Sequence, residues 1–358
     1  MTLWLGALYV VLVAARLAMV RREVCAASTD VTIIQPILAG DPRLAGALAA
    51  NLRAHPDAAF LWLIDDDDAE AQRIASELAP LHTRLRVVIG PGPRDGENPK
   101  LAKLERALPM VETARLIVLD DDTILPGGSL LPECPLATGL PVFVAKSSLY
   151  ELLTGGFVNG NALLTYLPAS RLGLQRTING MIYGADTAQL RALGGFAAAG
   201  HELTDDYAVA RLYLRNGFAI TQTTAPAHVA MTIVSFAHYA RVMRRWMIFA
   251  SYYLRGNLSA ATVFWIVLPG LLPLAGLIAA IVEARAAVWL ALLLTKALVN
   301  RVALWRITGV ASSIVDLLFE MAADLCTPLW SALALIRPGR LQWRTRKIEM
   351  AGGQIRYK

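Results

Sequence analysis

The run 258-LSAATVFWIVLPGLLPLAGLIAAIV-282 carries no charged residue. A stretch this long and apolar can span the hydrocarbon core of a bilayer. There it has one structural solution, a helix whose backbone groups pair internally. The whole chain of 358 residues is 56% hydrophobic, too apolar for an ordinary soluble protein. Its first two thirds are too charged for a pure membrane bundle. The length suits one domain of about 200 residues plus membrane segments.

Residues 2–20 form a shorter apolar run, interrupted by Arg16. The positive charges Arg16, Arg21 and Arg22 fall inside or after the run and do not precede it, which favours an anchor over a signal peptide. They would keep the adjoining C-terminal stretch of chain in the cytoplasm. The basic tail 337-RPGRLQWRTRKIEM-350 argues for a cytoplasmic C-terminus as well, so an even number of crossings is expected between residues 256 and 336. Segments 286–305 and 307–336 carry Lys296, Arg301, Glu320 and Asp324, which leaves their topology open and allows an interfacial placement. The net charge is 34 − 28 = +6. The basic excess lies beside apolar segments, which points to an anionic membrane surface and not to nucleic acid. Cys25, Cys134 and Cys326 have no close spacing, which argues against a disulfide framework or a zinc site and fits a reducing compartment. Acylation of Cys25, just past the anchor, is a minor alternative to a plain thiol.

Between these segments, short apolar runs alternate with helical patterns. Strands are expected over 31–38, 59–64, 84–90 and 115–119, and helices over 42–54, 69–80 and 100–109. That order predicts an α/β domain with a mostly parallel sheet and helices on both faces. Ligands of such sheets bind beyond the carboxyl ends of the strands. Two acid clusters fall at that edge, Asp65 to Asp68 and Asp120 to Asp122. Adjacent carboxylates repel and lose hydration near a core. They are tolerated in a solvated turn, or where a cation sits among their oxygens. Asp120-x-Asp122 has room for one hard cation that also takes phosphate oxygens. The phosphatase pattern D-x-D-x-T loses support, because Ile124 stands at its threonine position.

A third acidic site is 201-HELTDDYAVARLYLRNG-217. Thr204 or Asp205 can cap a helix there, and Gly217 can end it. A carboxylate at the helix start either acts as a general base or only caps. Next, 233-IVSFAHYARVMRRWMIFASYYLR-255 is amphipathic. Phe236, Tyr239, Met243, Trp246, Met247 and Ala250 share one face, opposite Arg241, Arg244 and Arg245. The helix should lie along a membrane surface, its arginines meeting headgroups or a diphosphate. Segment 147–167 either lines a cleft or is scaffold. His55, His82 and His228 read as surface or loop residues, and His201 and His238 do not read as catalytic.

Taken in order, these pieces resemble the ceramide glucosyltransferase family and, more broadly, the GT-A processive-type glycosyltransferases. The strand 33-IIQPILAGD-41 is similar to the family's opening strand and proline turn. Asp68 falls at its first aspartate. The loop 96-GENPKLAKL-104 is similar to a Gly-x-Asn-Pro-Lys segment. Asp120 and Asp122 match the D-x-D, and 179-NGMIYGADTAQLRALGGF-196 looks like the Gly-Met strand on the acceptor side. Asp206 matches the aspartate of Glu-Asp-Tyr, and Arg245-Trp246 match the end of (Gln/Arg)-x-x-Arg-Trp. The tail 343-WRTRKIEMAGGQIRY-357 is similar to a short basic Trp-Arg hairpin. The resemblance spans roughly residues 30–250. Two positions depart from it. Val242 stands at the Gln/Arg position, with Arg241 one place earlier, and the loop from the D-x-D to Pro126 is one residue short.

The resemblance implies a GT-A nucleotide-sugar-binding fold and an inverting, membrane-bound enzyme. The implied reaction moves a hexose, glucose from UDP-glucose, to the primary hydroxyl of a membrane lipid. Ceramide is the first acceptor and diacylglycerol the alternative. Pro36, Asp68, Lys100, Asp120 and Asp121 would face the nucleotide sugar, and Asp120 and Asp122 would hold Mg2+ or Mn2+. Gly180, Met181 and Asp205 would lie on the acceptor side. Asp206 would act as base, and Arg245, packed by Trp246, would neutralise departing UDP. The expected layout is an N-terminal anchor (1–24), a cytoplasmic catalytic domain (25–232), an interfacial helix (233–256), membrane helices (257–336) and a basic tail (337–358), set in a bacterial inner membrane. A polysaccharide synthase and an inactive membrane scaffold are the competing readings.

Overall fold

The structure is a computed structural model that describes residues 1–22, 30–92, 94, 97–199, 204–336, 340–343, 346–351 and 354–357. Cys25, Gly96 and His201 lie outside the described residues. The strands are β1 Val31–Pro36, β2 Ala59–Asp65, β3 Leu85–Gly90, β4 Arg115–Leu119, β5 Thr123–Ile124, β6 Leu136–Phe143, β7 Ile182–Asp186, β8 Ile220–Val229, β9 Arg340–Trp343, β10 Arg346–Ala351 and β11 Gln354–Tyr357. The helices are α1 Thr2–Ala18, α2 Leu44–Ala54, α3 Ala69–Leu78, α4 Pro99–Ala107, α5 Leu149–Arg171, α6 Thr187–Ala192, α7 Asp205–Arg215, α8 Phe236–Asn257, α9 Ala260–Val282, α10 Ala286–Thr308 and α11 Ile314–Ile336. The chain divides into a sheet unit (Val24–Pro141, Arg176–Thr232, Gly339–Lys358) and a helical unit (Met1–Glu23, Val142–Gln175, Ile233–Pro338). Segment 142–175, inside the expected 25–232 domain, groups with the apolar helices.

In the sheet unit the main sheet runs β3-β2-β1-β4-β7-β6-β8-β5. Its first four strands are parallel, with Ile33 of β1 opposite Phe60 on one side and Ile117 on the other. These strands read as continuous apolar runs because both faces are covered. Ile34, Leu61, Leu63, Leu116 and Val118 point into one core, while Ile33, Phe60, Trp62, Ile117 and Leu119 point into the other. The α/β expectation is met. The β7 strand joins antiparallel to β4, with Leu119 opposite Ile182. The end of β4 therefore meets the start of β7, and the residues just outside each strand, Asp120 and Met181, become neighbours.

In the helical unit, α9, α10 and α11 are long and apolar enough to cross a membrane. The basic tail implied an even number of crossings between residues 256 and 336. The described residues hold three such helices, an odd number. The charges that left 286–336 ambiguous are buried and paired. Lys296 Nζ lies 2.9 Å from Glu320 Oε1 and 2.8 Å from Asp324 Oδ2, and donates to the Gly160 carbonyl at 3.1 Å. Arg301 Nε meets Glu320 Oε2 at 2.5 Å, and Asn300 Nδ2 donates to Glu320 Oε1 at 2.9 Å. Arg16, the interruption in the first apolar run, donates to the Leu164 carbonyl and to Thr165 Oγ1 on α5. Polar groups in such a setting satisfy one another because nothing else will. The α5 helix approaches closely through glycine: a Cβ at Gly156 would stand 2.3 Å from the Phe319 carbonyl oxygen of α11. That helix therefore packs against α11 through its glycine face.

The α8 helix is amphipathic as expected, but its buried face is rotated. Tyr239, Val242, Met243, Met247 and Ile248 are buried, whereas Phe236 is exposed. Val242, the departure from the Gln/Arg position, sits on the packed face. An apolar residue belongs there.

The network predicts a sharp stability effect. Glu320→Ala strips three donors of their acceptor and takes from buried Arg301 its carboxylate, a loss of about 3–5 kcal/mol. Thermal unfolding in detergent or nanodiscs should show it. An unchanged melt would mean that the network contributes nothing to the fold.

Candidate active site

Where β4 stops, its three acids diverge. The Asp120 backbone N–H donates to the Met181 carbonyl at 3.0 Å, locking the β4 end to the turn before β7. Asp121 turns inward, is buried, and accepts from the Leu38 N–H at 2.8 Å. The Asp122 carbonyl accepts from Ala230 N–H at 2.8 Å, and its Oδ1 accepts from Thr123 Oγ1 at 3.2 Å. Asn51 of α2 clamps the next residues of the loop: its Nδ2 donates to the Thr123 carbonyl at 2.8 Å, and its Oδ1 accepts from Leu125 N–H at 2.8 Å. The shortened loop before Pro126 is thus pinned by a buried amide.

Lys100 comes from α4. Asn98 caps that helix, accepting from the N–H groups of Lys100 and Leu101, and Pro99 occupies its first position. A lysine in the first turn opposes the helix dipole. Its partners explain its presence. Nζ lies 2.7 Å from Asp120 Oδ1 and 2.9 Å from Asp205 Oδ2, and it donates to the Gly180 carbonyl at 2.7 Å. The side chain is only 5% exposed. Burial alone would lower its pKa; the carboxylates of Asp120 and Asp205 outweigh that and hold the ammonium well above its ordinary value.

Asp205 and Asp206 open α7, behind Thr204 at the cap position. A Cβ on Gly180 would lie 3.4 Å from Asp206 Oδ2, so the backbone of that turn faces the carboxyl directly. Burial, then the negative charge of Asp205, push the Asp206 carboxyl up to about 7, against a hydrogen bond from Tyr207 N–H at 2.7 Å. The residue is partly exposed, so solvent tempers the shift. The structure thus gathers Lys100, Asp120, Gly180, Met181, Asp205 and Asp206 at one end of the β4–β7 pair.

The other acid cluster is structurally committed. Asp68 caps α3, its Oδ1 accepting from Ala71 N–H at 3.0 Å and its Oδ2 from Ala39 N–H at 2.8 Å. Pro36 ends β1 two residues before Leu38, the partner of Asp121. Asp65 is buried, with Lys103 Nζ at 3.2 Å; Lys103 also donates to the Ile37 carbonyl at 2.7 Å. Lys103 was missed in the sequence. Its spacing of three from Lys100 on one helix was the available signal.

Arg245 and Trp246 lie on α8 in the helical unit, where the Trp246 ring stacks 6.0 Å from Phe157. Two histidine expectations are corrected. His55 and His82 are buried, with His55 Nε2 2.9 Å from the Leu125 carbonyl and His82 Nε2 3.3 Å from that of His55. They close polar gaps beneath the loops. His238 is in the first turn of α8, its N–H donating to the cap Ser235 Oγ.

The profile described as Glycosyl transferase family 21 matches residues 1–355. The chain belongs to glycosyl transferase family 21. It is therefore a sugar transferase, and the resemblance read from the motifs holds at the level of the family. No curated protein matches this family 21 transferase. Among solved structures it is similar to a mannosyltransferase from Pyrobaculum calidifontis in complex with GDP-Man and Mn2+. The identity is 14% and the TM-score 0.44, over 92% of this chain and 96% of that one. It is also similar to glucosyl-3-phosphoglycerate synthase from Mycobacterium tuberculosis in complex with Mn2+, UDP and phosphoglyceric acid. There the identity is 15% and the TM-score 0.37, over 63% and 83% of the two chains. At these scores neither carries an inference about substrate.

In this family 21 transferase, Asp68→Ala removes the α3 cap and the tie to Ala39, and should cost about 1–2 kcal/mol in thermal unfolding. Asp68→Asn keeps one acceptor and should lose less. Donor binding measured on both variants separates the cap from a pocket role: a folded, equally stable Asp68→Ala protein with weakened donor binding would assign Asp68 to the nucleotide instead.

Proposed function

We propose that the protein transfers a hexose from a nucleotide sugar, UDP-glucose, to the primary hydroxyl of a membrane lipid with inversion at the anomeric carbon, ceramide being the acceptor. The observation that carries this reading is the reach of one side chain. Lys100 touches Asp120, on the donor side, and Asp205, beside the raised carboxyl of Asp206. Donor-binding and proton-accepting groups therefore stand one lysine apart, as a single displacement requires. The apolar helices α9 to α11 support a lipid acceptor and an integral membrane setting, and the basic residues that follow the first apolar run support a cytoplasmic catalytic domain.

Asp206 takes the acceptor proton. The acceptor oxygen bonds to the anomeric carbon as the bond to the UDP oxygen breaks, and the electron pair leaves with the diphosphate. Among the described residues no group of three or more His, Cys, Asp or Glu side chains is gathered around a common point for a metal. Asp120 and Asp122 nonetheless fit Mg2+ or Mn2+, because such ions are commonly held by one or two carboxylates with phosphate oxygens completing the shell. The Tyr183 ring lies 5.8 Å from Lys100 Nζ, and its buried hydroxyl has no hydrogen-bond partner. A bound divalent ion would supply charge stabilisation for the leaving diphosphate. Pro36, Asp68 and Asp121 shape the donor side, and Gly180, Met181 and Asp205 the acceptor side. Arg245, with Trp246, is assigned to the departing diphosphate on the strength of the motif.

The test is hexose transfer in nanodiscs, with UDP-glucose or UDP-galactose offered against ceramide or diacylglycerol, in Mn2+ or in chelator. A metal-dependent, solvent-extractable glycolipid is expected, with loss of about 10²–10⁴-fold in Asp206→Asn. No glycolipid from folded protein with any pair would overturn the proposal. The pH profile is a second check. Protonated Asp206 cannot accept the proton, so kcat/KM should fall as pH drops, along a limb between the ordinary 3.8 and about 7. A bound cation nearby shifts it towards the lower end.

A further inference from the structure

Lys100 has more to do than line a nucleotide pocket. Its ammonium is almost wholly removed from water and faces Asp120, Asp205 and the Gly180 carbonyl at 2.7–2.9 Å. The ammonium donates to Asp120 Oδ1 and to the Gly180 carbonyl and stands in ion-pair contact with Asp205 Oδ2, so its charge is taken up by the protein's own carboxylates. One of the three is Asp120 Oδ1, an oxygen of the carboxylate assigned above to the divalent ion. A lysine and a divalent cation cannot both hold that oxygen at full strength, because the two positive charges would meet at short range with little solvent between them.

We propose that Lys100 is a resident counter-ion that competes with the divalent cation for Asp120, so that the site discriminates against free metal and accepts the metal together with a nucleotide diphosphate. This rests on the function proposed above. Without ligand, the ammonium neutralises Asp120 and keeps it aimed past the β4 end, where its backbone is already fixed by Met181. A bare cation has to displace that ammonium against charge repulsion. A cation carrying a diphosphate brings negative charge of its own, which offsets the repulsion. On displacement Lys100 keeps two of its three partners, Asp205 and the Gly180 carbonyl, and so remains beside the helix start that carries Asp206. Lys100 acts in this scheme as a positioning residue. It touches the carboxylates, and they touch the substrates.

The experiment measures Mn2+ binding by electron paramagnetic resonance on the full chain in nanodiscs, with and without UDP. Lys100→Met should bind free Mn2+ at least about tenfold more tightly than the wild type, as removal of a unit charge at this range implies. Lys100→Arg, which keeps the charge, should stay near the wild type. The advantage that UDP gives to Mn2+ binding should shrink in Lys100→Met. Lys100→Gln serves as a second uncharged variant, and circular dichroism and thermal unfolding report whether each variant folds. Equal or weaker free-Mn2+ binding in a folded Lys100→Met or Lys100→Gln protein would overturn the inference while leaving the function intact, provided that Asp120→Asn abolishes Mn2+–UDP binding. Mn2+–UDP binding that ignores Asp120→Asn, or no binding to the wild type, would sink both the metal assignment and this inference.

Discussion

A lysine ammonium set among carboxylates, nearly out of reach of water, is the interaction on which the sheet unit's chemistry turns. Asp120 and Asp205 lie far apart in the chain, on the end of a strand and the start of a helix, and like charges would push them apart. Lys100 forms ion pairs with both and donates to the Gly180 carbonyl. Each of these groups would be expensive to bury alone; together they offset one another. The surrounding backbone is arranged to present them. Antiparallel pairing of β4 with β7 brings Met181 to Asp120, Asn98 starts α4 one residue before Pro99, and Asn51 clamps the exit of the acid triplet.

The helical unit solves a related problem without water. Lys296, Arg301, Glu320 and Asp324 put charge into segments otherwise composed for lipid. Pairing them inside the bundle converts a penalty into register, because sliding any helix by a turn would separate the partners. Gly156 and Gly160 allow α5 to join this arrangement at backbone distance, the Gly160 carbonyl accepting from Lys296 itself. Specificity of packing, more than net stability, is what buried ion pairs offer in such a setting.

The strands of the parallel half were legible because they are buried on both faces and read as unbroken apolar runs. The β4 strand matches its expected limits of 115 and 119, bounded by Ala114 and by the acids. Helix ends slipped by a residue or two where prolines tighten the last turn into 3₁₀ geometry, at Ala79–Leu81 and Leu108–Met110. Longer-range features were not legible. Nothing local announces that 182–186 returns antiparallel beside β4, or that Asp65, Asp68 and Asp121 spend their oxygens on the fold's own cations and N–H groups. A charged residue in a strand-end loop looks the same in sequence whether it faces a ligand or a neighbouring amide. The buried face of α8 was misjudged for a similar reason. A helical wheel shows which residues are apolar, and only the neighbours decide which part of that arc is covered.

The two acids of 204-TDDY-207 show how far environment, and not residue type, assigns roles. Adjacent on one helix start, they share the same helix dipole. Asp205 reaches Lys100 and is ion-paired. Asp206 turns towards Gly180, where its hydrogen bonds come from its own helix start, and its carboxyl rises, first through burial and then through the charge of Asp205. An unpaired, raised carboxyl suits a proton acceptor working near neutrality, and a paired one suits holding the structure around it. The difference depends on Lys100, since its ammonium partly screens Asp206 from the negative charges at this end of the sheet. If the ammonium leaves Asp120 for a cation and settles on Asp205, donor binding and the basicity of Asp206 become electrostatically linked. In the role proposed for it, Asp206 would then be tuned by whether a donor is present.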